Sequence, residues 1–244
     1  MSEGYMTNPI TYKTALEIAS HEALIRQAYK DSVGVWTWSV GLTSATGHDV
    51  LRYKDKPQSL EHCLAIYVWA LDRYAEAVRT VFKGTVLTEA QFAAALSFHW
   101  NTGAITSASW VAHFKAGRLG QAETAFLSWN KPKEIIGRRE KEADLLFRGK
   151  WSSNGTVNEY TRLTASYTPQ WSSAVKTNIE APLRAALGDR DPMAMPIADT
   201  HIQAPEPVAP NPSRTTADIL NEVRSLLNEL ESCLLYTSPS PRDS

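Results

Sequence analysis

Cysteine is scarce in this chain: only Cys63 and Cys233 occur in 244 residues. Two thiols so far apart, with no Cys-x-x-Cys pair, provide neither a disulfide framework nor a thiolate metal centre. Cys63 reads as a small core residue. The six histidines are scattered without His-Glu-x-x-His or comparable spacing, so we expect no metal and no cofactor, and His21 and His99 read as structural. A Gly-x-Ser-x-Gly elbow, a phosphate loop and a dinucleotide fingerprint are also missing. Long apolar runs are absent as well. The longest, residues 63–71, falls far short of the roughly 20 residues of a membrane span. The start Met1-Ser2-Glu3-Gly4-Tyr5 has neither the charged beginning nor the apolar stretch of a signal peptide. These features predict a soluble chain made in the cytoplasm, without stable membrane insertion and with no nucleic-acid partner.

Hydrophobic residues make up 43%, with eight Trp, enough for a packed core in one large or two small domains. The net charge of −1 hides an asymmetry: residues 189–244 hold four Lys/Arg against nine Asp/Glu, leaving 21 basic against 17 acidic before them. The composition also changes at Gly188. Residues 189–216 are Pro-rich and read as a linker. Residues 217–232 carry a short apolar stripe, Ile219, Val223, Leu226, Leu227 and Leu230, that predicts a short amphipathic helix. Residues 233–244 read as translated vector or adaptor sequence, a non-native tail, so the natural protein is expected to be longer.

Within residues 1–188 the pattern predicts a mainly helical α+β domain. A short helix over 14 to about 20, with Thr11 or Thr14 as cap, leads to alternating runs between 24 and 46 with turn signals at Asp31-Ser32-Val33-Gly34 and Gly41. These predict two or three antiparallel strands, the chain's only β region. Leu60, Leu64, Tyr67, Leu71, Tyr74, Ala75, Val78 and Phe82 recur at helical spacing behind Ser59, predicting a long helix over 59–82. Thr88 and Gln91 form a capping box for another helix that stops near Gly103. Shorter helices follow over 109–116, 120–129 and 132–147. Residues 151–188 read as helix and loop, with Trp171, Val175, Ile179 and Leu183 at helical spacing, packed against the helical part.

The stretch from Glu22 to Thr37 carries the chemistry. Glu22 follows the apolar turns of the first helix, where a carboxyl group can be partly desolvated and keep its proton. Asp31 lies in a solvated turn that favours its ionised form. Thr37 adds a hydroxyl between Trp36 and Trp38. Hydrolysis of a sugar acetal needs such a division of labour, one carboxyl group as acid and another polar group holding water. Trp36 and Trp38 are candidates to stack on sugar rings, although aromatics in a small sheet are more often core and alternation sets them on the face opposite Thr37.

The string Tyr29-Lys30-Asp31 through Trp36-Thr37, with Glu22 nine residues before Asp31 and Thr37 six after it, resembles the phage-type lysozymes, glycoside hydrolase family 24. Ser97-Phe98-His99-Trp100-Asn101-Thr102-Gly103 and Gly137-Arg138-Arg139-Glu140-Lys141-Glu142 are similar to further segments of that family. The resemblance covers about residues 12–150. It implies a two-lobe lysozyme-like fold with a small antiparallel sheet in an N-terminal lobe of about 12–58, an interlobe helix of about 59–82, and a helical lobe of about 83–188. It also implies that Glu22 is the general acid, that Asp31 positions the attacking water and that Thr37 assists. Asn101 is then a cleft residue, or by its place before Gly103 a helix-capping amide, which the residues favour. Arg138 to Glu142 read as a solvated face with interhelix ion pairs rather than substrate contacts. The sequence departs from the family at Ser39, where Gly is frequent, and at Leu42, where His is. By resemblance the substrate is peptidoglycan, cleaved between N-acetylmuramic acid and N-acetylglucosamine, and the protein is a monomeric bacteriophage endolysin that reaches the wall through a holin. Two rivals remain open: a lytic transglycosylase, and a non-catalytic virion or wall-binding protein of the same fold.

Overall fold

The computed structural model describes residues 8–188; the expected linker, short helix and tail over 189–244 lie outside the described residues. The described part is mainly helical with one small sheet. The first helix, α1 (Tyr12–Ser20), starts on Thr11, whose hydroxyl accepts from Thr14 N. It buries Ala15, Leu16, Ile18 and Ala19. Strands β1 (Ala23–Lys30) and β2 (Trp36–Val40) form an antiparallel hairpin, and the two-residue β3 (Leu42–Thr43) pairs outside β2. The β1–β2 register shifts between Ile25 and Tyr29.

The long helix is α2 (Leu60–Val81), capped by Ser59, whose hydroxyl accepts from His62 N at 3.1 Å. Next, α3 (Glu89–Thr102) opens on the Thr88–Gln91 capping box and closes on Gly103, whose φ of 66° suits glycine. Nearly every side chain of α3 from Ala90 to Phe98 is buried, so α3 is the central rod. Around it lie α4 (Ser109–Lys115), α5 (Leu119–Leu127) and α6 (Ile136–Arg148). Between them Trp110 meets Phe98 and Phe126 edge-on, at 5.4 and 5.1 Å, and Phe98 lies tilted against Phe126 at 5.3 Å.

Two expectations need correction. The sheet is mixed, not antiparallel, and the hairpin region is not the only source of strands. From the segment read as helix and loop come β4 (Thr156–Tyr160) and β5 (Ala174–Asn178), giving the order β3-β2-β1-β4-β5 with β1 and β4 parallel. A last helix, α7 (Glu180–Leu187), then packs against α1 and α2. The helical spacing of Trp171, Val175, Ile179 and Leu183 misled because the first two are exposed, while Ile179 and Leu183 belong to the core. In β4 the inward positions are Val157 and Glu159, so a buried carboxylate masks the alternation. Glu159 is bonded by Arg26 Nε at 2.7 Å and Thr177 Oγ1 at 2.7 Å.

Candidate active site

Glu22 occupies the two-residue link between α1 and β1, its N–H donating to Ala19 O at 3.1 Å. Its side chain is 20% exposed, and Oε1 accepts from Arg138 Nη1 at 2.5 Å. Oε2 lies against Gly41, which joins β2 to β3. A Cβ there would stand 2.9 Å from Oε2 and 3.4 Å from Trp100 Nε1. With φ at 72°, position 41 requires glycine twice over: for its backbone conformation and to leave room for the carboxylate.

Arg138 reaches Glu22 because α6 carries a buried charge network. Its Nε donates to Glu142 Oε1 at 2.8 Å, and its Nη2 lies 3.3 Å from Ser97 O. Ser97 Oγ donates to the same Glu142 oxygen at 2.5 Å. Arg139 pairs with the other Glu142 oxygen and donates to Trp129 O at 3.0 Å and Asn101 Oδ1 at 2.7 Å. Burial alone favours a neutral guanidine at Arg138, but the Glu22 and Glu142 carboxylates more than reverse this, and Arg138 titrates above its ordinary value. Of the solvated face expected over 138–142, Glu140 and Lys141 are exposed, whereas Arg138, Arg139 and Glu142 form a largely buried clamp; its ion pairs run within α6 and to Glu22 rather than between helices, and its links to α3 are hydrogen bonds with Ser97 and Asn101. The signal lay in spacing: Arg139, Glu142, Ala143 and Leu146 recur at i, i+3, i+4 and i+7, so the charged pair falls on the apolar face. Asn101 is inside α3, not its cap, and Gly103 closes the helix.

Asp31 opens the β1–β2 turn. Its N–H donates to Val35 O at 3.0 Å, and Oδ1 accepts from Val33 N at 3.0 Å and Val35 N at 2.8 Å. Two amides thus fix one carboxylate oxygen. Thr37, opposite Tyr29 on β1, is buried, and its hydroxyl donates to Val35 O at 3.2 Å. Tyr29 is itself buried on β1. Its phenol is held above its ordinary value first by burial and then by the charges of both Glu22 and Asp31. Tyr67 on α2 feels Glu22 in the same way.

Trp38 is corrected outright. It is fully buried, stacked on Tyr53 at 3.9 Å with Nε1 donating to Arg26 O at 2.9 Å, so its ring belongs to the core rather than to a sugar. Trp36 is only half-buried. Ser39 takes φ 55° and donates its hydroxyl to Cys63 O at 2.9 Å, so the backbone here adopts the conformation that glycine supplies most readily. Leu42 is fully buried.

The family model for phage lysozyme matches residues 19–142. The chain belongs to the phage lysozyme family. Glu22, Asp31, Thr37, Asn101 and the Arg138 clamp all lie inside the matched part of the chain, whereas β4, β5 and α7 lie beyond it. Among solved structures, an endolysin from Escherichia coli O157:H7 phage FAHEc1 is 22% identical over 62% of this chain and 100% of its own, with a TM-score of 0.53, and shares the fold. The muramidase domain of SpmX from Asticaccaulis excentricus is 25% identical over 57% of this chain and 97% of its own, with a TM-score of 0.48. The active form of the P1 phage endolysin Lyz is 20% identical over 57% and 85%, also at 0.48. No curated protein sequence matches the chain.

Proposed function

We propose that this protein is an endolysin of glycoside hydrolase family 24 that hydrolyses the β-1,4 bond between N-acetylmuramic acid and N-acetylglucosamine in peptidoglycan, by inverting single displacement. The observation that carries the reading is the Glu22 carboxyl group, partly exposed, oriented through one oxygen by Arg138 and given room by Gly41. Glu22 passes its proton to the leaving glycosidic oxygen, and Arg138 stabilises the carboxylate left behind. Asp31, with Oδ1 tied to two amides, uses its other oxygen to take a proton from the attacking water. The Thr37 hydroxyl oxygen retains acceptor capacity for that water. On this reading the enzyme is a cofactor-free monomer that reaches the wall through a holin.

The test is Glu22→Gln, an isosteric change that removes the proton. Clearing of chloroform-treated Gram-negative cells should fall at least about a hundredfold, within the range that general acid catalysis supplies, with the melting temperature unchanged. Retention of most of the rate would sink the assignment. Mass analysis of wild-type muropeptides should give hydrated reducing ends with the α anomer first by NMR. Anhydro ends would instead indicate a transglycosylase, and no products a non-catalytic protein.

A further inference from the structure

We propose that Lys30, Trp36, Lys54 and Tyr167 form a subsite for the acidic peptide carried on the muramic acid unit, beside the proposed cleavage position. The inference rests on the peptidoglycan reading above. It begins from an arrangement outside the catalytic set. Lys30 and Trp36 are paired residues at the end of the hairpin whose turn opens on Asp31. The Trp36 ring meets the Tyr167 ring at 5.3 Å with a 58° tilt. The Lys30 ammonium lies 5.5 Å from the Trp36 centroid, and the Lys54 ammonium lies 5.8 Å from it and 4.8 Å from the Tyr167 centroid. Two like charges therefore converge on one indole.

The surroundings show that this convergence is held rather than incidental. Tyr167 has φ 64°, a conformation that a bulky side chain rarely takes. It is fixed by Lys30 N donating to Tyr167 O at 2.8 Å and by Tyr167 N donating to Thr164 O at 3.0 Å. Asp55, at φ 57°, accepts from the Tyr167 hydroxyl at 3.1 Å. Of three non-glycine residues with positive φ among the described residues, two thus lie bonded to each other at this patch. Strained backbone of this sort is a mark of a site whose geometry is imposed by the rest of the fold. Among the described residues, neither Lys30 nor Lys54 has a carboxylate within ion-pairing distance. The nearby acids are otherwise engaged, Asp31 by two amides and Asp55 by the Tyr167 hydroxyl.

The ligand class follows from charge and reach. Unmodified chitin-like glycan is neutral, whereas each muramic acid bears a lactyl-linked peptide with free carboxylates. An extended peptide spans about 3.3–3.6 Å per residue, so a ring seated at Asp31 brings its first one or two side carboxylates to the adjoining hairpin end. Lysines bind carboxylates as point charges, and the half-buried rings of Trp36 and Tyr167 pack on the peptide's apolar parts. Tyr167 comes from the segment beyond the family-matched residues, so this chain's own C-terminal extension supplies half of the aromatic platform.

The experiment compares binding of a soluble disaccharide-tripeptide from Gram-negative sacculi with that of the same disaccharide stripped by an amidase, by calorimetry at low and high salt. Wild type should bind the peptide-bearing fragment roughly tenfold more tightly, an advantage that shrinks in salt. The double variant Lys30→Gln/Lys54→Gln should lose that advantage and keep its affinity for the bare disaccharide, while Lys56→Gln, a neighbouring exposed lysine, should behave as wild type. Equal wild-type affinity for both fragments, or an unchanged preference in the double variant, overturns the proposal. If wild type clears cells yet shows no preference, the subsite alone fails. If it neither clears cells nor binds either fragment, the peptidoglycan reading fails and takes the subsite with it.

Discussion

Glycine at position 41 and arginine at position 138 make the same point from opposite directions: one leaves space for the Glu22 carboxyl group, the other holds it. Gly41→Ala puts a carbon 2.9 Å from Oε2 in a left-handed conformation that disfavours a side chain by about 1–2 kcal/mol. We expect a drop of that size in unfolding free energy by urea titration, and loss of most lytic activity because Glu22 must turn away. Arg138→Lys keeps the charge but not the planar fork that spans Glu22 and Glu142. It should lower the clearing rate at least about tenfold and stability by about 2–3 kcal/mol, since Glu142 is buried. Neither partner of Glu22 could be assigned from the residues alone. The Glu22, Asp31 and Thr37 triplet was proposed from the resemblance of one local string to the family, whereas the contact between Glu22 and Arg138 joins positions 116 apart and only packing creates it.

At the scale of elements, one buried carboxylate on α1 binds the chain directly after α6. Glu17 accepts from Ser152 N at 3.0 Å, Ser152 Oγ at 2.6 Å and Ser153 N at 2.9 Å, and stands 3.6 Å from His21 Nε2. Burial by itself would raise its titration point, yet these donors bring it down from 4.5 to about 2. A carboxylate lowered in the folded state stabilises fully above the unfolded value and progressively less as pH falls toward the folded one. The contribution, about 3 kcal/mol at neutral pH, should disappear between about pH 4.5 and pH 2. Urea titrations across that window should show a steep acid limb for wild type and a shallower one for Glu17→Gln, and parallel limbs would refute the link. Helices were legible where capping and periodicity agree, as in the Ser59 start of α2 and the Thr88–Gln91 box of α3. Strand β4 was not, because Glu159 occupies an inward position that only Arg26 and Thr177 make tolerable.

For the molecule as a whole, the residues beyond the family match are structural members and not an appendage. Val157, Ile179, Leu183 and Leu187 are all at most 2% exposed, and burying four such side chains contributes about 6–12 kcal/mol. That is comparable with the whole net stability of a domain, about 5–15 kcal/mol. A chain ending at residue 150 should therefore lose its cooperative melt by circular dichroism and become insoluble, and a soluble, active fragment would disprove this. The parallel seam between β1 and β4 also sets a clock. Arg26 and Glu159 are 133 residues apart, and at a synthesis rate of about 5–20 residues per second the ribosome takes roughly 7–27 s to deliver the second after the first. Throughout that interval the hairpin bearing Glu22 and Asp31 has a bare flank whose unpaired amides can zip onto a neighbouring nascent chain. Stronger induction crowds more such half-built sheets together, so yield should improve when fewer chains are initiated at once, by weaker induction.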